Sequence, residues 1–316
     1  MTTTTQTRTE TDTMNTAWKR FFARLTWGDI MIGIILVIFV LVIMFPFWWV
    51  LRTALTSPGK VFTDASSLLP VDPTLLNFRR VLGSVDASEL VAAGNSNIST
   101  GTLNFWLYLR NSFIFSMLVT LGQTTFSTMA AYAFARFRFP GRNRIFFLYL
   151  TGLMIPGIVL FIPNFVFIRQ TGLTGTFAGL VAPFFLMTPY AVFFMRQFFL
   201  GLNKDLEEAA TLDGATRVGI FWRVALPLVQ GPILTLGILT FIQSWNEYLW
   251  PLLVGRDENI RVLTVALAIF RQQTPQGSPD WTGLMAGTAV AIVPTVLIFL
   301  FFGRKVVDSI QFSGFK

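Results

Sequence analysis

Six stretches of this 316-residue chain carry no charged side chain: Ile30–Leu51, Asn111–Ala135, Ile145–Ile168, Gln170–Met195, Val224–Asn246 and Trp281–Gly303. A helix of about 20 residues rises roughly 30 Å, the thickness of a bilayer's hydrocarbon core. Backbone N–H and C=O groups in lipid must satisfy one another, and within a single segment only a helix does this. The sequence therefore predicts an all-α, polytopic membrane protein with six transmembrane helices. Composition agrees: 13% of residues are charged, against about 25% in a soluble domain. Mean hydropathy is +0.61. Pro156 and Pro163 fall inside the third run and predict a kink there. Arg169 and the following "QTGLTG" separate the third run from the fourth.

The chain has neither His nor Cys. That excludes Ser-His-Asp catalysis, thiolate nucleophiles and metal sites built on imidazole or thiolate. The net charge of +8 does not imply a nucleic-acid partner, because the basic residues flank the apolar runs instead of forming a separate cluster. Their expected partner is membrane lipid.

Lys and Arg also set the orientation. The N-terminal arm, the loop "RFRFPGRNR" after the second run, the segment after the fourth run and the tail share one side. Together they hold 15 of the 24 Lys and Arg residues. The sequence thus predicts cytoplasmic N- and C-termini. The expected organisation is an arm over 1–29, disordered and then briefly amphipathic, a six-helix domain over 30–303, and a tail over 304–316. Outer loop 52–110 and inner loop 196–227 belong to the domain. Within the outer loop, "LLPVDPTLLNFRRVL" predicts a turn leading into a short helix. Asp29 and Arg52 bracket the first run as interfacial residues. The Thr-rich start lacks the apolar centre of a signal peptide.

The inner loop contains an acidic, Ala-rich island, "KDLEEAATLDGA", at Lys204–Ala215. Asp205 as N-cap with Glu208 three residues on fits a capping box. Glu207 adds negative charge at the positive end of the helix. Ala209, Ala210 and Leu212 favour a compact helix with a small, smooth face. Asp213-Gly214 predicts a turn, and Thr216 is placed to cap a second helix running towards Leu226 and Pro227. The expectation is a helix–turn–helix at the membrane face, shaped for close approach by another protein or simply covering the bundle.

Glu208-Ala209-Ala210, Gly214 four residues later and Val224-Ala225-Leu226-Pro227 resemble the "EAA…G…I-LP" signature of bacterial ABC-importer permeases, with Val224 in place of the usual Ile. "AAYAFARFRFPGRN", "LMIPG", "MRQFF" and "SWNEYLWPLL" extend the likeness to the MalG-like subunit of the maltose-type carbohydrate permeases, from about Trp48 to Val307. The Ala87–Asn104 stretch and the tail "SIQFSGFK" depart from that pattern. The resemblance implies a type I ABC importer permease fold. It implies that Glu207, Glu208, Ala209, Ala210, Asp213, Gly214, Leu226 and Pro227 form a coupling loop docked on an ATPase. It also implies a MalF-like second permease, two copies of the ATPase and an extracytoplasmic sugar-binding protein as partners. ATP and Mg are expected on the partner subunits, since the chain has no GxxxxGK[ST] phosphate loop and is not expected to be an enzyme. Maltose, trehalose, a related oligosaccharide and glycerol phosphate are the solutes in view.

Trp245, Asn246, Glu247 and Trp250 sit at the outer edge of the fifth run. They are candidates to line a substrate path, by stacking on sugar faces and bonding hydroxyls. The alternative is an interfacial Trp belt around a solvated Glu. Asn111, Gln123 and Gln243 are read as helix-to-helix hydrogen-bonding residues. Arg136–Arg144 are read as anchors to anionic lipid, with ATPase contact as the alternative. A stand-alone secondary transporter is the competing function. It would call for carboxylates near mid-membrane, and none lies in the runs except Glu247 at an edge. A membrane enzyme using a carboxylate pair is the third reading.

Overall fold

The long uncharged runs fold as helices; Pro46 and Pro294 are carried inside unbroken helices, whereas the third and fourth runs break next to Pro156 and Pro189. A computed structural model describes residues 26–58, 60–64, 66–85, 103–272 and 279–311, all regular elements of which are helical. The Thr-rich arm, most of the Ala87–Asn104 stretch with its Asn97-Ile98-Ser99 sequon, and the last five residues lie outside the described residues.

Among the described residues, three helices are long and apolar enough to cross a membrane, or six if each bent pair is one span. α1 (Trp27–Leu55), α3 (Phe105–Arg136) and α14 (Trp281–Gln311) are continuous. The third span is α4 (Arg142–Leu150) with a 3₁₀ turn over Thr151–Met154, then α5 (Gly157–Gln170), bent by 96° at Ile155-Pro156. The predicted kink is thus a near right angle. The fourth is α6 (Phe177–Phe185) and α7 (Pro189–Gly201), bent by 46°. It starts seven residues later than the charge-free run, because Thr171–Thr176 is a turn. Its break at Leu186–Thr188 was not expected. Pro189 has no N–H to continue α6 and suits the first position of a new helix. α14 runs on through Arg304 to Gln311, so the expected tail begins as helix.

The chain divides into two units, Met1–Arg52 and Thr53–Lys316. In the first, α1 opens with a reciprocal capping box. The Thr26 N–H donates to the Asp29 carboxylate at 2.8 Å, and the Asp29 N–H returns to Thr26 Oγ1 at 3.3 Å. Asp29 is therefore a capping residue and not merely interfacial. Arg52 is buried, with its guanidinium 5.0 Å from the Trp49 ring centre.

In the second unit α3 is the central helix. It packs along α7 and along α11 (Gln230–Trp245). Gly122 is required on this helix: a Cβ there would stand 2.4 Å from the Phe185 ring. The polar side chains of α3 hold its neighbours' irregular backbone. Asn111 is fully buried, and its amide donates to the carbonyls of Asn259 (2.8 Å) and Arg261 (3.0 Å). Gln123 reaches Thr188 Oγ1 at 3.3 Å, and Ser127 Oγ accepts the Thr188 N–H at 3.3 Å. Asn111 and Gln123 thus tie α3 to its neighbours as the sequence predicted. They act on breaks and connectors, where backbone groups lack helical partners.

The short helix α2 (Leu76–Val81) is fixed by a buried polar knot. The Asn77 amide donates to the carbonyls of Ala54 and Thr56, both at 2.8 Å. Arg80 donates to Asn77 Oδ1 and forms an ion pair with Asp280, both partners under 4% exposed. Asp280 Oδ1 also accepts the Gly283 N–H at 2.8 Å, at the start of α14.

Candidate functional site

The island folds as α8 (Asp205–Leu212), followed by α9 (Arg217–Ile220), a π turn over Phe221–Ala225 and the short α10 (Leu226–Leu228). The predicted capping box at Asp205 does not form. Asp205 is the first helical residue, the residue before it is Lys204, and no side chain caps the turn. Asn203 braces the start instead: its Oδ1 accepts the Asp205 N–H and its amide donates to the Asp205 carboxylate, each at 3.1 Å. The acid expected to serve the helix end, Glu207, serves another element.

The far end of α8 follows the sequence closely. Gly214 sits at φ +83°. The Ala215 N–H reaches the Ala210 carbonyl at 2.9 Å, and the Gly214 N–H reaches Thr211 at 3.0 Å. These two bonds are the Schellman stop, which needs a left-handed residue at Gly214. Thr216 caps α9 as predicted, its Oγ1 accepting the Gly219 N–H at 3.1 Å.

Two faces result. On the outer face, Glu208, Ala209, Asp213 and Gly214 are exposed. Leu212 is 90% exposed and Val218 67%, with Leu206 and Trp222 also open. Leu206, Val218 and Trp222 were not singled out from the sequence, and Leu212 was read only as part of a small, smooth helix face. The available signal was their presence in an otherwise polar loop, where nothing local requires them. On the inner face, Phe221, Ala225 and Val229 are buried in a cluster with Tyr132, Phe199 and Met195, and Leu226 packs against it. Tyr132 meets Phe221 at 5.0 Å and Phe199 at 5.2 Å between ring centres. Ala210 and Glu207 are half-buried. The eight predicted coupling residues therefore separate. Four lie on the exposed bend, two turn inward from α8, Leu226 seats the rear of the elbow, and Pro227 is exposed beyond it.

One ion pair fastens the elbow to the bundle. Arg136, the last residue of α3, places Nε 2.9 Å from Glu207 Oε1, with its own side chain 6% exposed. The same guanidinium donates to the Leu202 carbonyl at 2.7 Å. Arg136 is thus a structural residue at the root of the elbow and not a lipid anchor. Arg138, Arg142 and Arg144 line a groove of about 1420 Å³ shared with the elbow.

The second candidate region is more enclosed than expected. Trp245 is 5% exposed, lies parallel to Phe241 with ring centres 5.8 Å apart, and donates to the Ala291 carbonyl at 3.1 Å. Trp250, in α12 (Leu249–Val254), is 1% exposed. It stands edge-on to Phe161 and Phe184 and donates to the Leu180 carbonyl at 3.1 Å. Neither indole belongs to an interfacial belt, and neither offers a free face for stacking on a sugar. Glu247 Oε1 accepts the Trp250 N–H at 3.3 Å, capping α12, and the Glu247 carbonyl accepts from Thr264. Asn246 is exposed, with its amide returned to the Ile242 carbonyl at 2.8 Å. Of the four path candidates, Asn246 and Glu247 are the accessible ones.

Comparison with known proteins places this geometry. The chain is 38% identical over 231 residues to the arabinooligosaccharides transport system permease protein AraQ of Halalkalibacterium halodurans, covering 73% of this chain and 81% of that one. It is 35% identical to the sn-glycerol-3-phosphate transport system permease protein UgpE of Yersinia pestis, over 89% of this chain and 96% of the relative. For UgpE of Escherichia coli the identity is 32%, over 90% and 97%. A crystal structure of a bacterial ABC transporter involved in the import of the acidic polysaccharide alginate has a chain of the same fold, with TM-score 0.72 and 23% identity, covering 89% of this chain and 98% of that one. These relatives are transport permeases, not enzymes. Residues 123–311, which include the elbow, Arg136 and the breaks in the third and fourth spans, match the model of one family. The chain belongs to the binding-protein-dependent transport system inner membrane components.

Proposed function

We propose that this chain is the permease subunit of an ATP-driven, binding-protein-dependent importer, and that the elbow at Asp205–Pro227 is where a separate ATPase engages it. The observation that carries this reading is the two-sided elbow. Its bend exposes Leu212 and Val218, and its root is fixed to α3 by Arg136 and Glu207. Force on the bend would therefore reach the bundle through rigid contacts, as alternating access requires. A second, MalF-like permease, two ATPase copies and an extracytoplasmic binding protein complete the assembly. Both termini face the cytoplasm, as the Lys and Arg distribution argues. Nucleotide and Mg belong to the ATPase.

The solute is a sugar or sugar-derived polyol. The names of the relatives point to arabinooligosaccharides and sn-glycerol-3-phosphate, and maltose and trehalose belong in the same screen. Asn246 and Glu247 are the residues of this chain proposed to meet it.

The test is assembly in proteoliposomes with the cognate ATPase, second permease and binding protein. ATP hydrolysis stimulated by the loaded binding protein is expected, with crosslinks from Leu212→Cys to the ATPase. Uptake by this chain alone under an ion gradient, or a position-212 probe labelled only from the outer side, would overturn the reading.

A further inference from the structure

The groove beside the elbow has a charge balance that the elbow does not use. Its lining brings together Arg138, Arg142 and Arg144 from the loop and the start of α4, and Lys204 and Arg217 from the elbow. Arg136 and Glu207 neutralise one another. That leaves five cations facing one acid, Glu208, among the lining residues. The N-terminus of α4 opens into the same space with no acid in its first turn and no side-chain cap. Its helix dipole adds positive potential at that point.

Apolar surface continues from the basic lining. Phe139 and Pro140 lie in the groove wall. Along α4, Ile145 is 49% exposed, Phe147 72% and Leu148 70%. A cationic pocket leading onto a bare aliphatic and aromatic face matches an amphiphile with an anionic head. An acidic protein segment would use the cations but leave the apolar face uncovered.

We propose that this groove binds the phosphate headgroup of an anionic phospholipid, with its acyl chain along Ile145 and Leu148. The lipid bridges the Arg138–Arg144 loop and the elbow. Because it touches the element proposed to receive the ATPase, it ties coupling to membrane composition. The inference rests on the membrane-permease reading and adds a ligand to its elbow.

The experiment is native mass spectrometry of the full chain released from detergent containing phosphatidylglycerol and phosphatidylcholine in equal amounts. The wild type is expected to retain phosphatidylglycerol selectively, and inorganic phosphate is not expected to displace it. Arg138, Arg144 and Lys204 line the groove outside the packed core, so their replacement leaves that core intact. In the variant carrying R138Q, R144Q and K204Q, retention should weaken by about fivefold for each charge removed. Arg138→Lys with Arg144→Lys should preserve it. A photocrosslinker at position 139 in the assembled transporter should capture lipid. Equal retention of both lipids, unchanged retention in the Gln variant, or capture of a protein partner instead of lipid would overturn the proposal. A chain that holds the lipid but engages no ATPase would retain this site and defeat the transport reading instead.

Discussion

Arg136 and Glu207 form an ion pair at 2.9 Å between the C-terminal end of α3 and the first turn of the exposed elbow. The pair holds α8 against the bundle. Glu207→Gln leaves a buried guanidinium with a weaker partner, at a cost of ~1–3 kcal/mol for a charged group left under-satisfied. The expected outcome is faster amide exchange across residues 205–212 with the spans unchanged. In the assembled transporter, ATPase stimulation should fall. Swapping the charges, Arg136→Glu with Glu207→Arg, should recover part of the protection. Unchanged exchange in Glu207→Gln would show that the aromatic cluster alone holds the elbow.

A Cβ added to Gly214 would meet nothing within 4 Å, so space is no obstacle to a side chain. Its φ of +83° is the obstacle. Gly214→Ala should cost about 1–2 kcal/mol from the left-handed backbone alone. Gly214→Val should cost more, and Gly214→Asn less, because Asn tolerates that region. Thermal unfolding of the three variants checks the order.

Trp250 fills a pocket between Phe161 and Phe184 and satisfies the Leu180 carbonyl. Trp250→Ala should destabilise by about 3–5 kcal/mol. Trp250→Phe should lose less, chiefly the hydrogen bond, about 1 kcal/mol. Solute affinity in the folded Trp250→Phe variant should be unaltered. A large affinity loss without a stability loss would return this residue to the substrate path.

Asp280 supplies the carboxylate paired with Arg80, inside a knot under 4% exposed. Asp280→Asn keeps an oxygen for the Gly283 N–H but removes the counter-charge. A buried pair broken from one side costs about 3–5 kcal/mol. The melting temperature should drop accordingly, and Arg80→Met combined with Asp280→Asn should recover part of it.

The sequence was most readable where a local rule acts alone. Gly214 and Thr216 stand where turn and cap chemistry put them, and the charge-free runs became helices. It misled where two sites carry the same local signal. Thr26-x-x-Asp29 closes a capping box, whereas Asp205 to Glu208 does not, because Asp205 is already helical and Asn203 takes the N–H that Glu208 would have accepted. The tryptophans show a second limit. In a membrane protein, core-facing and lipid-facing surfaces draw on the same apolar residues. Nothing near Trp245 or Trp250 in the chain indicates that Ala291 or Leu180 will accept its N–H. The break at Leu186–Thr188 is written partly in Pro189 and partly in Gln123 and Ser127, on a different helix.

The π turn at Phe221–Ala225 has a consequence for how the elbow can vary. Such a turn holds one residue more than the α-helical repeat requires. Deleting one residue there would let the ladder close as α-helix and rotate α8 and α9 by about 100° relative to α11. Leu212 and Val218 would swing round from the exposed face, and Glu207 would be carried away from Arg136. The angular setting of the knuckle is therefore fixed by a single residue of chain length, a dial that insertion or deletion can turn when substitution cannot.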